Sequence, residues 1–159
     1  MPVASNDAEL TALLTNSFED IINRVADRVI EEIVKPSVDE NVYQAYLPRM
    51  YNRQGGMGGF LGAWEQETVS DGTGSIKTEI GVNPLSMVLD EEHYIHGSDL
   101  HGDVRSMLAE YIMSGLRYDF DFNMPRDFWT PIQTAINNGG IDKIIEAEMT
   151  KKGINWTKN

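Results

Sequence analysis

The strongest constraint on this chain is an apolar stripe near its start. Leu10, Leu14, Phe18, Ile21, Val25, Val29 and Ile33 recur at steps of three and four, and Leu13, Ile22, Ala26 and Ile30 widen the band. That period belongs to one face of a helix and not to a strand. The opposite face carries Glu19, Asp20, Arg24, Asp27, Arg28, Glu31 and Glu32. The spacing predicts one long helix over residues 8–34, capped at Asn6 or Asp7 and stopped by Pro36. Residues 1–6 read as a frayed end. The helix spans roughly 40 Å at about 1.5 Å per residue, more than a small sheet covers. The excess stripe has two candidate partners: another subunit, or the helix's own sheet along its whole length.

The next segment, residues 42–61, reads as an ordered connector. Tyr43, Tyr46 and Tyr51 are spaced across Pro48, with Arg49 and Arg53 among them and Gly55, Gly56, Gly58 and Gly59 following. Pro48 disfavours helix for Leu47. Tyrosines present large apolar faces with a polar tip, and arginine and aromatics are enriched in interfaces. Tyr43, Tyr46, Tyr51, Arg53, Gly58 and Phe60 are therefore expected to contact a neighbouring chain.

Residues 60–69 and 75–82 read as two strands. Phe60 and Trp64 fall on one face of the first, with Leu61 and Val69 on the other, and Ile76, Ile80 and Val82 alternate onto one face of the second. Ser70-Asp71-Gly72-Thr73-Gly74 is turn chemistry, so the pair is a β-hairpin. Its tip, with Asp71 and Gly72, is expected to order against a neighbour. Asn83-Pro84 ends the second strand, and residues 87–89 suggest a short third one. A loop over 93–103 precedes a helix capped by Asp103, with Val104, Met107, Leu108, Tyr111 and Ile112 on one face. Residues 118–122 alternate as a short edge strand. A helix over 127–136 ends at Asn137-Asn138-Gly139-Gly140. The last runs over 141–152, with Ile144, Ile145 and Met149 inward and Gly153 as its stop.

Chain length predicts a single domain over residues 1–159. There is no cysteine, which excludes disulfides and thiolate metal sites. No signal peptide or membrane-spanning run is expected. The 25 acidic against 13 basic residues, a net charge of −12, argue against tight non-specific nucleic-acid binding. The glycine cluster lacks the Gly-Lys-Ser/Thr ending of a phosphate loop, and the position for a third dinucleotide-type glycine is Leu61. There is no Gly-x-Ser-x-Gly elbow. One cluster suggests chemistry. His93, His96 and His101 stand within nine positions, beside Asp99 and Asp103. Imidazole with carboxylate suits a divalent metal that activates water. The spacing matches no helical His-Glu-x-x-His pattern, so a metal-dependent hydrolase is the alternative reading and no metal or cofactor is the expectation.

Val42-Tyr43, Tyr46, Pro48, Tyr51, Arg53 and the following Gly-Gly resemble a block in the neck and tail-completion proteins of tailed bacteriophages. Met124-Pro125-Arg126-Asp127-Phe128 is similar to the Pro-Arg-Pro-Phe-like block that opens a final helix there, with Asp127 at the second proline. The similarity runs from about Leu10 to Gly153. Residues 93–103 and 118–122 depart from the pattern. The resemblance implies an α+β fold, with a long N-terminal helix and C-terminal helices packed on a small antiparallel sheet, and a homo-oligomeric ring at the head–tail junction of a virion. Its partners would be neck, adaptor or tail proteins, with DNA passing through the lumen without specific binding. It implies no enzymatic activity.

Overall fold

Pro36 does not stop the first helix. In the computed structural model, which describes residues 4–45, 59–70, 75–87, 108–115 and 125–155, helical backbone runs unbroken from residue 7 to 44. Helix α1 spans Asp7–Val29. A π turn follows at Ile30–Val34, then a short α2 at Lys35–Val38, then a second π turn at Asp39–Gln44. The first π turn explains the proline. Its bonding reaches back five residues, so the Lys35 N–H donates to the Ile30 carbonyl. Pro36 then occupies the first turn of the next segment, where a missing N–H costs least. The expected connector therefore starts later than residue 42, because Val42, Tyr43 and Gln44 are helical.

The π turns also keep the stripe straight. Ile30, Val34, Val38 and Val42 are all buried, at intervals of four. An α-helix has about 3.6 residues per turn, so steps of four drift around its surface. Wider turns between them cancel the drift and hold the four side chains on one line.

The strands are β1 (Trp64–Ser70) and β2 (Ile76–Val82), antiparallel, with Trp64 opposite Val82 and Thr68 opposite Thr78. Alternation is strict. Trp64, Gln66, Thr68, Ile76, Thr78, Ile80 and Val82 face inward and Glu65, Glu67, Val69, Lys77 and Glu79 outward. The facing Thr68 and Thr78 hydroxyls lie 2.5 Å apart. The first strand starts later than the sequence suggests: Phe60–Gly62 is a 3-10 turn, closed by the Gly62 N–H donating to the Gly59 carbonyl at 3.0 Å. Asn83 does end β2, its side chain accepting from the Leu85 N–H. Met87 is not in a strand; it follows a 3-10 turn at Pro84–Ser86 and is buried.

Three further helices complete the described fold: α3 (Leu108–Ser114), α4 (Trp129–Asn137) and α5 (Gly140–Lys151). Asp127 caps α4, accepting from the N–H groups of Trp129 and Thr130 at 3.0 and 2.9 Å. Gly153 closes α5 with φ 72°, its N–H bonding the Thr150 carbonyl while Ile154 bonds Met149. That pair of bonds is the Schellman motif. The α4–α5 corner needs glycine twice. Gly139 has φ 78°, and a Cβ on Gly140 would stand 2.7 Å from the Ala135 carbonyl oxygen and 3.0 Å from Ile33 Cδ1.

The hairpin and α5 pack on α1, which makes the fold α+β, helices on a two-stranded antiparallel sheet. The core is lined by Ile21, Val25, Val34, Val38, Phe60, Phe128, Ile132 and Ile144. Phe60, Trp64 and Phe128 meet edge to face, with ring centroids 5.4 to 6.1 Å apart. That is the favourable arrangement for aromatic quadrupoles.

Candidate interaction surface

Among the described residues, the helical rod outruns what covers it. Ile21 is 1% exposed, yet one turn earlier Phe18 is 38% exposed, and Leu14 and Leu10 are 50% and 49% exposed. These three residues stand at i, i+4 and i+8, so they form one line along the rod. The cover ends near Asp20, whose carboxylate accepts from Lys152 Nζ, just past the C-terminal end of α5, at 2.7 Å. The sequence left the partner of the excess stripe open between its own sheet and another subunit. Its first turns meet no sheet among the described residues.

The overhang is well-formed helix. Asn6 Oδ1 accepts from the Glu9 N–H at 2.9 Å, and Glu9 Oε2 accepts from the Ser5 N–H and hydroxyl at 2.7 and 2.6 Å. Ser5 and Asn6 are thus bonded into the helix start, where fraying was expected. The Ser5 hydroxyl and N–H hold the Glu9 carboxyl below its ordinary pKa. Asp7 and Glu9 stand in the first turn, where the helix dipole favours negative charge.

Behind the overhang the rod is clamped to α5. Arg28 donates to Glu148 at 2.9 Å and grips Glu32 through two nitrogens, at 2.7 and 3.2 Å. Lys151 donates to the same Glu148 oxygen at 2.6 Å. Lys151 and Arg28 hold the Glu148 carboxyl below its ordinary pKa, and Arg28 does so for Glu32. Glu148 escaped the sequence reading, although its place four residues after the inward Ile144 puts it on the buried face.

A cleft of about 390 Å³ opens between the rod and β1, lined by Asp27, Ile30, Glu31, Trp64, Glu65 and Gln66. Its walls are acidic, so it suits a basic group and repels an anion. The Glu65 carboxylate is occupied by Asn83 and Ser86, which lower its pKa, Ser86 first. The Trp64 Nε1–H is buried without a hydrogen-bond partner among the described residues.

Of the connector residues expected at an interface, two are described. The Tyr43 hydroxyl accepts from the Leu61 N–H at 3.2 Å. Phe60 is only 4% exposed, its ring enclosed by Trp64 and Phe128. The structure places it in the subunit's own core. Tyr46, Tyr51, Arg53, Gly58, Asp71 and Gly72 lie outside the described residues, as do His93, His96 and His101. Among the described residues, no three His, Asp or Glu side chains are grouped to hold a metal ion. Nor is any described helix long and apolar enough to cross a membrane.

Comparison with curated proteins finds no match, and comparison with solved structures finds none. A protein-family model does match, over residues 6–153, from the helix cap to the glycine that closes α5. The chain belongs to the YomN family, and this membership, of a phage-derived, SPbeta prophage type, points to a phage protein.

Proposed function

We propose that this chain is a structural, non-enzymatic subunit of the virion, forming a ring at the head–tail junction through which DNA passes. One observation carries the reading: a continuous helical rod whose first turns hold Leu10, Leu14 and Phe18 open to water while the same stripe is buried from Ile21 onward. An exposed apolar line on an ordered, capped helix suits contact with another chain. Family membership supports the phage setting. The charge of −12 fits a channel wall, because carboxylates repel the phosphate backbone and let a duplex slide. The partners are copies of this chain and the neck, adaptor or tail proteins that stack on the ring.

The test is direct. Electron microscopy of the purified chain should show closed rings, and a tagged copy should label the head–tail junction of intact particles. Particles made without the chain should accumulate as unjoined heads and tails. Absence of the chain from purified particles would remove the virion reading.

A further inference from the structure

The α4–α5 corner brings a reactive pair of residues together. Asn138 alone among the chain's asparagines precedes a glycine. It is exposed, and Gly139 follows it at φ 78°, the left-handed region that other residues resist. The turn thus requires the one residue type that, lacking a Cβ, leaves its backbone nitrogen unshielded from the side chain before it.

We infer that Asn138 is a self-modification site, converted through a cyclic imide to aspartate and isoaspartate, and that the closed α4–α5 corner sets the rate. The Gly139 nitrogen loses its proton and attacks the Asn138 Cγ. A carbon–nitrogen bond forms, and the side-chain nitrogen leaves as ammonia. Water then opens the five-membered ring at either carbonyl. Opening at Cγ gives aspartate, and opening at the former backbone carbonyl gives isoaspartate. The net change is one water consumed and one ammonia released, with no oxidant or reductant.

Three features of the corner oppose the first step. Ring closure requires the Gly139 nitrogen to eclipse the Asn138 Cβ, yet at ψ 14° it nearly eclipses the Asn138 backbone nitrogen instead. The Gly139 N–H is also engaged, donating to the Ile136 carbonyl at 3.0 Å, so the required rotation breaks a hydrogen bond. Asp142 Oδ2 stands 3.5 Å from the place of a Gly139 Cβ, and a carboxylate there disfavours loss of the amide proton. Reaction therefore proceeds from chains whose corner has opened. An opening cost of about 1.4 kcal/mol slows it about tenfold. The isoaspartyl product has one extra carbon in its main chain between Asn138 and Gly139. The closed corner does not accommodate it: the Asn138 N–H bonds the Thr134 carbonyl at 3.0 Å, and Gly140 lies too close to Ala135 even for a methyl group. Aspartate keeps the original main chain and fits.

The experiment incubates the full-length chain in mildly alkaline buffer, folded and in unfolding urea. Mass analysis of the tryptic peptide spanning residues 127–143 and labelling by an isoaspartyl methyltransferase follow the reaction. The unfolded chain should lose ammonia from this peptide and gain the label. The folded chain should do so about tenfold more slowly or less, with the rate rising in urea below the unfolding midpoint. Asn138→Gln should abolish both signals in this peptide. Asp71-Gly72 can form the same ring, but in another peptide and without a change of mass. An unfolded chain that stays unmodified, or a label that survives Asn138→Gln, overturns the site. Equal rates in the folded and unfolded chain overturn the control by the corner. The refolded isoaspartyl fraction should melt below the parent while Asn138→Asp melts close to it; a parent-like melt for the isoaspartyl fraction overturns the structural consequence.

Discussion

Glu148 of α5 accepts a hydrogen bond from Arg28 of α1 at 2.9 Å, with the glutamate side chain only 4% exposed. Lys151 holds the same oxygen from within α5. This contact fixes the rotation of α5 on the rod. Replacing Glu148 with Ala should lower the melting temperature by several degrees, because Arg28 loses a partner. Its pH dependence follows from the depressed pKa. A carboxyl with a lowered folded pKa contributes stability above its unfolded value, near pH 4, and loses it as pH falls through the folded value. The gap between the parent and Glu148→Gln in urea denaturation should therefore be constant from pH 6 to 8 and close in acid. A gap that widened in acid would contradict the assignment.

Phe128 joins α4 to the rod and the hairpin. It is 1% exposed and touches both Phe60 and Trp64 edge-on. Phe128→Ala should cost about 3–5 kcal/mol, from lost transfer energy and a cavity that an enclosed site cannot close. Chemical denaturation at constant m-value measures it. A cost below about 1 kcal/mol would mean that the aromatic cluster is not a core.

The α4–α5 corner makes a paired test. Gly140→Ala sets a methyl 2.7 Å from a backbone carbonyl and should destabilise by about 1–3 kcal/mol. Gly81→Ala in β2 meets nothing within 4 Å and should be neutral or stabilising by roughly 0.5 kcal/mol, by restricting the unfolded chain. Thermal melts of the two variants side by side suffice.

Asn23 Oδ1 is buried on α1 without a hydrogen-bond partner among the described residues. An unsatisfied buried acceptor carries its full desolvation penalty, and an apolar group of similar shape removes it. Asn23→Leu should raise stability by about 1 kcal/mol in urea denaturation. Destabilisation would show that the amide has a partner in solution.

Features governed by neighbours in sequence were legible before any fold was known. Asn6 caps α1, Asn83 ends β2 and Gly153 stops α5 because each acts on backbone groups within four residues. The inward and outward sides of the hairpin follow from a strand's two-residue period. The apolar stripe belongs here too, since spacing alone shows that one face of the first helix seeks cover.

Tertiary packing decided what spacing leaves open. Pro36 would end an isolated helix. Here Val34, Val38 and Val42 are buried around it, and two π turns keep them in line. Glu148 reads as one more surface acid until Arg28 arrives from far along the chain. Phe60 reads as part of a connector that contacts a neighbouring chain, yet its ring fills the space between Trp64 and Phe128. Residues 10, 14 and 18 carry the same apolar signal as Ile21 and Val25. The rod's position relative to α5 and the hairpin determines which are covered, because burial depends on contacts between segments distant in sequence.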